Sequence, residues 1–447
     1  MDTLPLPPRP RLEQYRKPAK ELVTAAASND PDAVRSWATQ WLEALARHLE
    51  LEITPFVRGS IQRAVRDIEW RIRERRVEGS PGPDLSLADA QFLIAQAHGF
   101  ANWTAFVRHV EPLGDDQAKG DIFETAADAV VSGDLETLDR LLSQHPGLVR
   151  ARSARIHRAT LLHHVAANGV EDFRQRTPPN AVAVATRLLE AGAEVDALAD
   201  TYGGGADQTT MNLLVSSVHP AAAGLQAALV NALLDFGAAV NGVANNGTPL
   251  MTAIAFAYSK SAQALADRGA RLDNVIAAAA LGRLDLVKRF VLDARTVAPG
   301  VSLVAPPWFG LPTAAKAHIE RAFVAACKFG RLKVVEFLLD AGVDHGASDG
   351  LTGLHWAAGH RYLDIVRLLL ARGASLEAKN AWGGTVLDST VWFAKHPPVD
   401  HPHDAPDVEY LPILEALLAA GADVNAVHPF PTEIEPVDTL LRRYGGD

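Results

Sequence analysis

The chain has 447 residues, 48% apolar and 21% charged, a balance that fits a packed protein and excludes a disordered one. A formal charge of −10 argues against a surface built mainly to coat nucleic acid. The length exceeds one ordinary core, so several domains or an elongated array are expected. The single cysteine, Cys327, allows no disulfide within the chain and fits a reducing, cytoplasmic setting.

In chain order, the Pro-rich start Met1 to Pro10 lacks the basic and apolar segments of a signal peptide. No run of about 18 apolar residues predicts a membrane span. Leu12 to Arg35 reads as a helix, a turn at Asn29-Asp30-Pro31 and a second helix. Val57 to Val77 is amphipathic, with Ile61, Val65, Ile68 and Ile72 in one apolar stripe. Arg63, Arg66, Arg73, Arg75 and Arg76 lie mostly off that stripe. They form either an anionic-ligand or RNA contact, or a solvated face shared with Asp67, Glu69 and Glu74. Leu85 to Val110 reads as a helix capped by Ser86 and ended at His98-Gly99, after which Trp103 and Phe106 face a core. These segments form a helical N-terminal region, residues 1–114.

From residue 115 to 447 the chain repeats. The endings LLEAGAEVDA, LLDFGAAVNG, LADRGARLDN, LLDAGVDHGA, LLARGASLEA and LLAAGADVNA share one form, with Gly192, Gly237, Gly269, Gly342, Gly373 and Gly421 in register. Each glycine follows a run of helical period and suits the left-handed residue that ends a helix. The beginnings also recur, as Thr160-Leu161-Leu162-His163, Thr248-Pro249-Leu250-Met251, Thr352-Gly353-Leu354-His355 and the worn Thr385-Val386-Leu387-Asp388. Gly133, Gly282 and Gly330 sit between paired helices.

These residues resemble the ankyrin repeat, whose signature D-G-x-T-P-L-H-x-A-A is matched by Asp349 to Ala358 with Gly353 in place of Pro. Arg361 stands where the family has its inter-helix glycine. About eight units start near Asp121, Ile156, Asp207, Asn246, Asn274, Ala317, Gly350 and Ala381, and Pro431 to Tyr444 looks like a capping half-repeat. The resemblance implies an all-α fold, an ankyrin-repeat α-solenoid preceded by a small helical N-terminal domain. It implies that Thr160, Thr248 and Thr352, with His163 and His355, tie helix starts to neighbouring backbone. The segment around Leu85 to Trp103 resembles the helical leader of bacterial ankyrin proteins, which implies a bacterial source. Insertions near 171–180, 293–312 and 395–409 are Pro-rich and break helix; they are surface additions or binding elements.

Few residues suggest chemistry. Tyr202-Gly203-Gly204-Gly205 lacks the Lys-Ser/Thr of a phosphate loop, and neither G-x-S-x-G nor H-E-x-x-H occurs. His396, His401, His403 and Asp404 are a metal-like cluster, but Pro397, Pro398 and Pro402 keep that stretch extended. No cofactor is called for. Ankyrin arrays bind on the concave side formed by hairpin tips and inner helices, and the resemblance places Trp356 there. Trp382 lies at the next tip, and Trp392 and Phe393 on the next helix. In a chain with 6% aromatics, these four are the candidate protein-binding residues, with Trp308 and Phe309 as a second group. The expected function is a non-catalytic scaffold or adaptor for a protein partner, with neither nucleic acid nor membrane as its target. The alternatives are a hydrolase or metal enzyme on the inserted loops, and an RNA-binding module on helix 57–77.

Overall fold

A computed structural model describes residues 3–7, 9–28, 30, 32–49, 51–77, 85–115, 121–202, 206–399 and 407–446. The chain divides into two compact units, Met1–Ala238 and Ala239–Asp447. The sequence-based division at 114/115 falls inside the first of these.

The first unit opens with a helical leader: α1 (Glu13–Ala26), α2 (Ala33–His48), α3 (Pro55–Val77), α4 (Leu87–Ala97) and α5 (Trp103–Asp115). The stripe Ile61, Val65, Ile68 and Ile72 of α3 is buried, because 3.6-residue spacing puts these side chains on one face. Ser86 caps α4 through a reciprocal capping box with Asp89. Helix α1 packs on α2 and α4 around a core of Leu22, Trp41, Ile94 and Phe106. Trp37 and Trp41 stack at 5.4 Å in that core.

Repeat helices follow in the same unit: α6 (Ile122–Ser132), α7 (Leu135–Gln144), α8 (Leu161–Val165), α9 (Ala181–Glu190), α10 (Thr210–Leu214), α11 (Val218–Ala222) and α12 (Gln226–Asp235). Helix α8 packs between α6 and α10 while also touching α9. In the second unit the pairs are α13 (Thr248–Ala255) with α14 (Ser259–Asp267), α15 (Val275–Ala280) with α16 (Leu284–Phe290), and α17 (Ala315–Lys328) with α18 (Leu332–Asp340). They continue as α19 (Gly353–Gly359) with α20 (Leu363–Ala371) and α21 (Val386–Lys395) with α22 (Leu411–Ala419), closed by α23 (Glu435–Arg443). Helices α13, α15, α17, α19 and α21 stack in order as one layer, and α16, α18, α20 and α22 form the other. This is the all-α repeat solenoid that the sequence predicts.

The six glycine endings are one local structure repeated. All six glycines have φ between 79° and 98°. The residue after each donates its N–H to the carbonyl five positions back, at 3.0–3.1 Å: Ala193 to Leu188, Ala238 to Leu233, Ala270 to Leu265, Val343 to Leu338, Ala374 to Leu369 and Ala422 to Leu417. This closure satisfies a carbonyl that the helix end leaves without a partner.

Among the described residues, β pairing makes two short hairpins, β1 (Ala199–Thr201) with β2 (Ala206–Gln208) and β3 (Val291–Asp293) with β4 (Thr296–Val297), and isolated bridges of Thr3 with Glu171, Asn274 with Ser302 and Ser348 with Thr352. The three insertions differ. The surface reading of 171–180 is corrected at its start: Glu171, Asp172, Phe173 and Arg174 are buried, held by ionic and apolar contacts that helix-breaking prolines do not reveal. Residues 293–312 form the β3–β4 turn and then a 3-10 turn at Pro307–Phe309. Residues 400–406 of the third insertion lie outside the described residues.

Candidate protein-binding face

The motif residues set the frame. In α8 the Thr160 N–H donates to His163 Nδ1 at 3.1 Å, so that nitrogen is unprotonated and Nε2–H donates to the Ala197 carbonyl at 3.0 Å. Burial lowers the His163 pKa to about 4, which keeps the ring neutral and able to do both. The copy in α19 repeats the Nδ1 half of this geometry, with Thr352 Oγ1 2.7 Å from His355 Nδ1 and the Thr352 N–H donating to that nitrogen at 3.3 Å. Thr248 departs from the expected role: Gly247 precedes α13 as its cap, and the Thr248 hydroxyl donates to Asn246 Oδ1 at 2.6 Å. With Met251 at the histidine position, that repeat has no ring to hold.

Trp356 follows His355 on α19 and is half-buried. Its Nε1–H donates to Asp349 Oδ1 at 2.8 Å. Lys328, at the end of α17, lies with Nζ 3.9 Å from the Trp356 ring centroid. That ammonium also donates to Asp349 Oδ2 at 3.1 Å and to the Ala255 carbonyl at 3.2 Å. Burial pulls the Lys328 pKa down, and Asp349 opposes that shift. Trp356 is therefore a fixed element of the face and not a loose side chain.

The other sequence candidates separate by exposure. Trp382, at the tip beside Gly350, is 80% exposed, and the Ala381 N–H fixes the tip by donating to the Gly350 carbonyl at 2.8 Å. Trp392 is 54% exposed and stacks on His396 at 4.6 Å. Phe393 is buried and is corrected from binding residue to core residue. Its ring fills the space over Gly359, where a Cβ would meet it at 2.4 Å. Trp308, which sequence reasoning ranked second, is 55% exposed and lies 6.0 Å from the 46% exposed Phe256. Phe256 was missed, because nothing around Ala255-Phe256-Ala257 marks it as exposed.

Among the described residues, the remaining candidates gather no site. His401, His403 and Asp404 lie outside the described residues, as do Gly203, Gly204 and Gly205. On α3, Arg63 pairs with Asp172 at 3.8 Å and Arg71 with Asp67 at 2.7 Å, while the side chains of Arg75 and Arg76 are not described. Cys327 is buried in α17 and its thiol pKa is pushed up by that burial.

The first unit holds a cluster that sequence reading missed. Arg155, Arg174, Glu124 and Glu171 are all buried and mutually paired. Arg155 reaches Glu124 at 2.9 Å, and Arg174 reaches Glu171 at 2.8 Å and Asp128 at 2.8 Å. Arg155 Nη1 donates to the Leu4 carbonyl at 2.9 Å, and Arg174 Nη2 to the Leu6 carbonyl at 3.4 Å. His98 Nδ1 lies 3.2 Å from the same Leu4 carbonyl. These groups pin the buried segment Thr3–Leu6 between the leader and the first repeats.

Residues 274–380 match a family model described as ankyrin repeats in three copies. A stretch of 73 residues is 38% identical to palmitoyltransferase AKR1 of Eremothecium gossypii, covering 15% of this chain and 9% of that protein's length. Among solved structures, the crystal structure of the human ASB11 ankyrin repeat domain is 21% identical over 67% of this chain and 98% of that chain, with a TM-score of 0.31. Among the described residues, no helix is long and apolar enough to cross a membrane.

Proposed function

We propose, from the ankyrin repeats at residues 274–380, that this chain is a non-catalytic scaffold or adaptor that holds a protein partner on the face carrying Trp356, Trp382 and Trp392. Repeat helices form a stiff frame whose surface side chains choose the partner, and ankyrin repeats are interaction modules. The observation that carries the reading is the exposure of Trp382 and Trp392 in the repeat that packs next to that of the anchored Trp356. Large aromatic rings left in water at fixed positions are what interface anchors look like before a partner covers them. A reducing, cytoplasmic setting belongs to the same reading and is supported by the lone, buried Cys327.

The test is affinity capture from the source cell with the full chain and with a Trp382→Ala/Trp392→Ala variant. Circular dichroism checks that both retain the same helix content. The reading expects a reproducible partner on the parent chain and its loss on the variant. A partner set identical on both chains overturns it.

A further inference from the structure

The insertion that carries Trp308 gathers a second group of side chains with its own chemistry. The insertion places Trp308 against Phe256 and, at 4.9 Å, against Phe309. Val304, in the same loop, is 57% exposed. The Phe309 ring carries the Arg321 guanidinium at 5.7 Å. Arg321 is partly exposed and makes no hydrogen bond among the described residues. Its nearest carboxylate oxygen, Asp349 Oδ2, is 3.7 Å away and already receives Lys328 at 3.1 Å. A planar five-donor fork is thus held on an aromatic face with its donors unfilled, next to exposed apolar rings. Two cations, Arg321 and Lys328, face one anion, Asp349, so this spot is locally positive in a chain of net charge −10.

Taking the proposed protein-binding face as its basis, we propose that Arg321 reads a carboxylate. The partner is an extended acidic peptide segment with an aromatic or large aliphatic side chain beside its Asp or Glu. The carboxylate takes the guanidinium fork, and the apolar side chain covers Trp308 and Phe256. The layer α13, α15, α17, α19 and α21 supplies the length. Four helix-to-helix steps at roughly 8–10 Å each give about 32–40 Å, the span of roughly a dozen extended residues.

The experiment selects displayed random peptides of about a dozen residues on the purified full chain, then measures synthetic copies by fluorescence anisotropy. The expected result is enrichment of peptides pairing Asp or Glu with a neighbouring Trp, Phe, Leu or Ile. Binding should weaken about tenfold or more in Arg321→Gln, because a charge-assisted fork is lost. Arg321→Lys should recover it in part, and selection on Arg321→Glu should favour basic peptides instead. Trp308→Ala should weaken the same peptides. Circular dichroism confirms that each variant is folded.

Peptides without an acidic preference, equal binding to Arg321→Gln, or no enrichment at all overturns the inference. Self-association lost in Trp308→Ala overturns it as well, by assigning the patch to a second copy. Peptides that ignore Arg321→Gln and Trp308→Ala but need Trp382 and Trp392 overturn this inference alone. Peptides indifferent to all four positions count against the binding-face reading too.

Discussion

Lys328 and Trp356 hold the same carboxylate, Asp349, the first through its ammonium at 3.1 Å and the second through its indole N–H at 2.8 Å. The ammonium also sits over the indole ring. Lys328 ends α17, and Asp349 and Trp356 belong to the next repeat's signature, so the pairing couples α17 to α19. Removing the acid leaves a buried cation without its counter-charge. Asp349→Ala is expected to destabilise the protein by about 3–5 kcal/mol. Lys328→Met leaves the buried carboxylate with the Trp356 N–H and the more distant Arg321, at 3.7 Å, and should cost about 1–3 kcal/mol. Urea unfolding of the two variants decides the matter. Losses under about 1 kcal/mol in both variants would show that packing, and not charge pairing, holds this junction.

Trp392 and Phe393 are adjacent in sequence and opposite in fate. Consecutive helical residues point roughly 100° apart. Phe393 falls on the face of Val386 and Thr390, which is buried, and Trp392 turns outward. Phe393→Ala opens a cavity over Gly359 and should cost about 3–5 kcal/mol. Trp382→Ala and Trp392→Ala remove exposed rings and should stay within about 0.5 kcal/mol of the parent. Thermal unfolding of the three single variants gives the comparison. A large loss at Trp382 would mean that its ring has a structural duty.

The repeat frame was legible because residue identity and spacing recur together. Six glycine endings forecast six left-handed turns, and Thr352 with His355 forecast a tied helix start. The leader helices were legible through the buried stripe of α3 and the Ser86 cap. The pinned segment Thr3–Leu6 was not. Its partner Arg155 lies 151 residues from Leu4, and no local pattern links an Arg to a distant carbonyl. Glu171 was hidden for a related reason: Pro178 and Pro179 mark a chain break, but burial there comes from Arg155 and Arg174. At the candidate face, the repeat resemblance singled out Trp382 and Trp392, and both rings are exposed. Whether Trp308 meets Phe256 depended on how the insertion folds back, which spacing does not encode.

Two glycines separate backbone strain from collision. Gly373 has φ 79° and open space where a Cβ would go. Gly373→Ala therefore costs the left-handed conformation alone, about 1 kcal/mol. Gly330 has φ 71°, and a Cβ there would meet the Tyr362 ring at 2.6 Å. Gly330→Ala adds a displaced ring to the same strain and should lose about 2–4 kcal/mol in total. Chemical denaturation of both variants tests the ordering, which fails if Gly373→Ala is the more damaging change.

Acid should weaken the protein well above the usual carboxylate range. Burial lowers the pKa of His98 and of His164 to about 3 and that of His163 to about 4, against an ordinary value of 6.5. Below about pH 6.5 the unfolded chain takes up protons that the folded rings refuse, so stability falls as pH falls through that window. Glu171 works in the same direction lower down. Burial raises its pKa, but Arg155 and Arg174 overcome that and hold it well below 4.5. Its contribution is present above about pH 4.5 and is lost as pH drops through the folded value. Urea midpoints measured from pH 7 to 4.5 should therefore decline continuously. His98→Gln keeps a donor for the Leu4 carbonyl while removing one titrating ring. It should flatten the slope between pH 6 and 4.5 by up to about 1.4 kcal/mol per pH unit. A midpoint that does not change between pH 7 and 5 would show that these rings are not held neutral by burial.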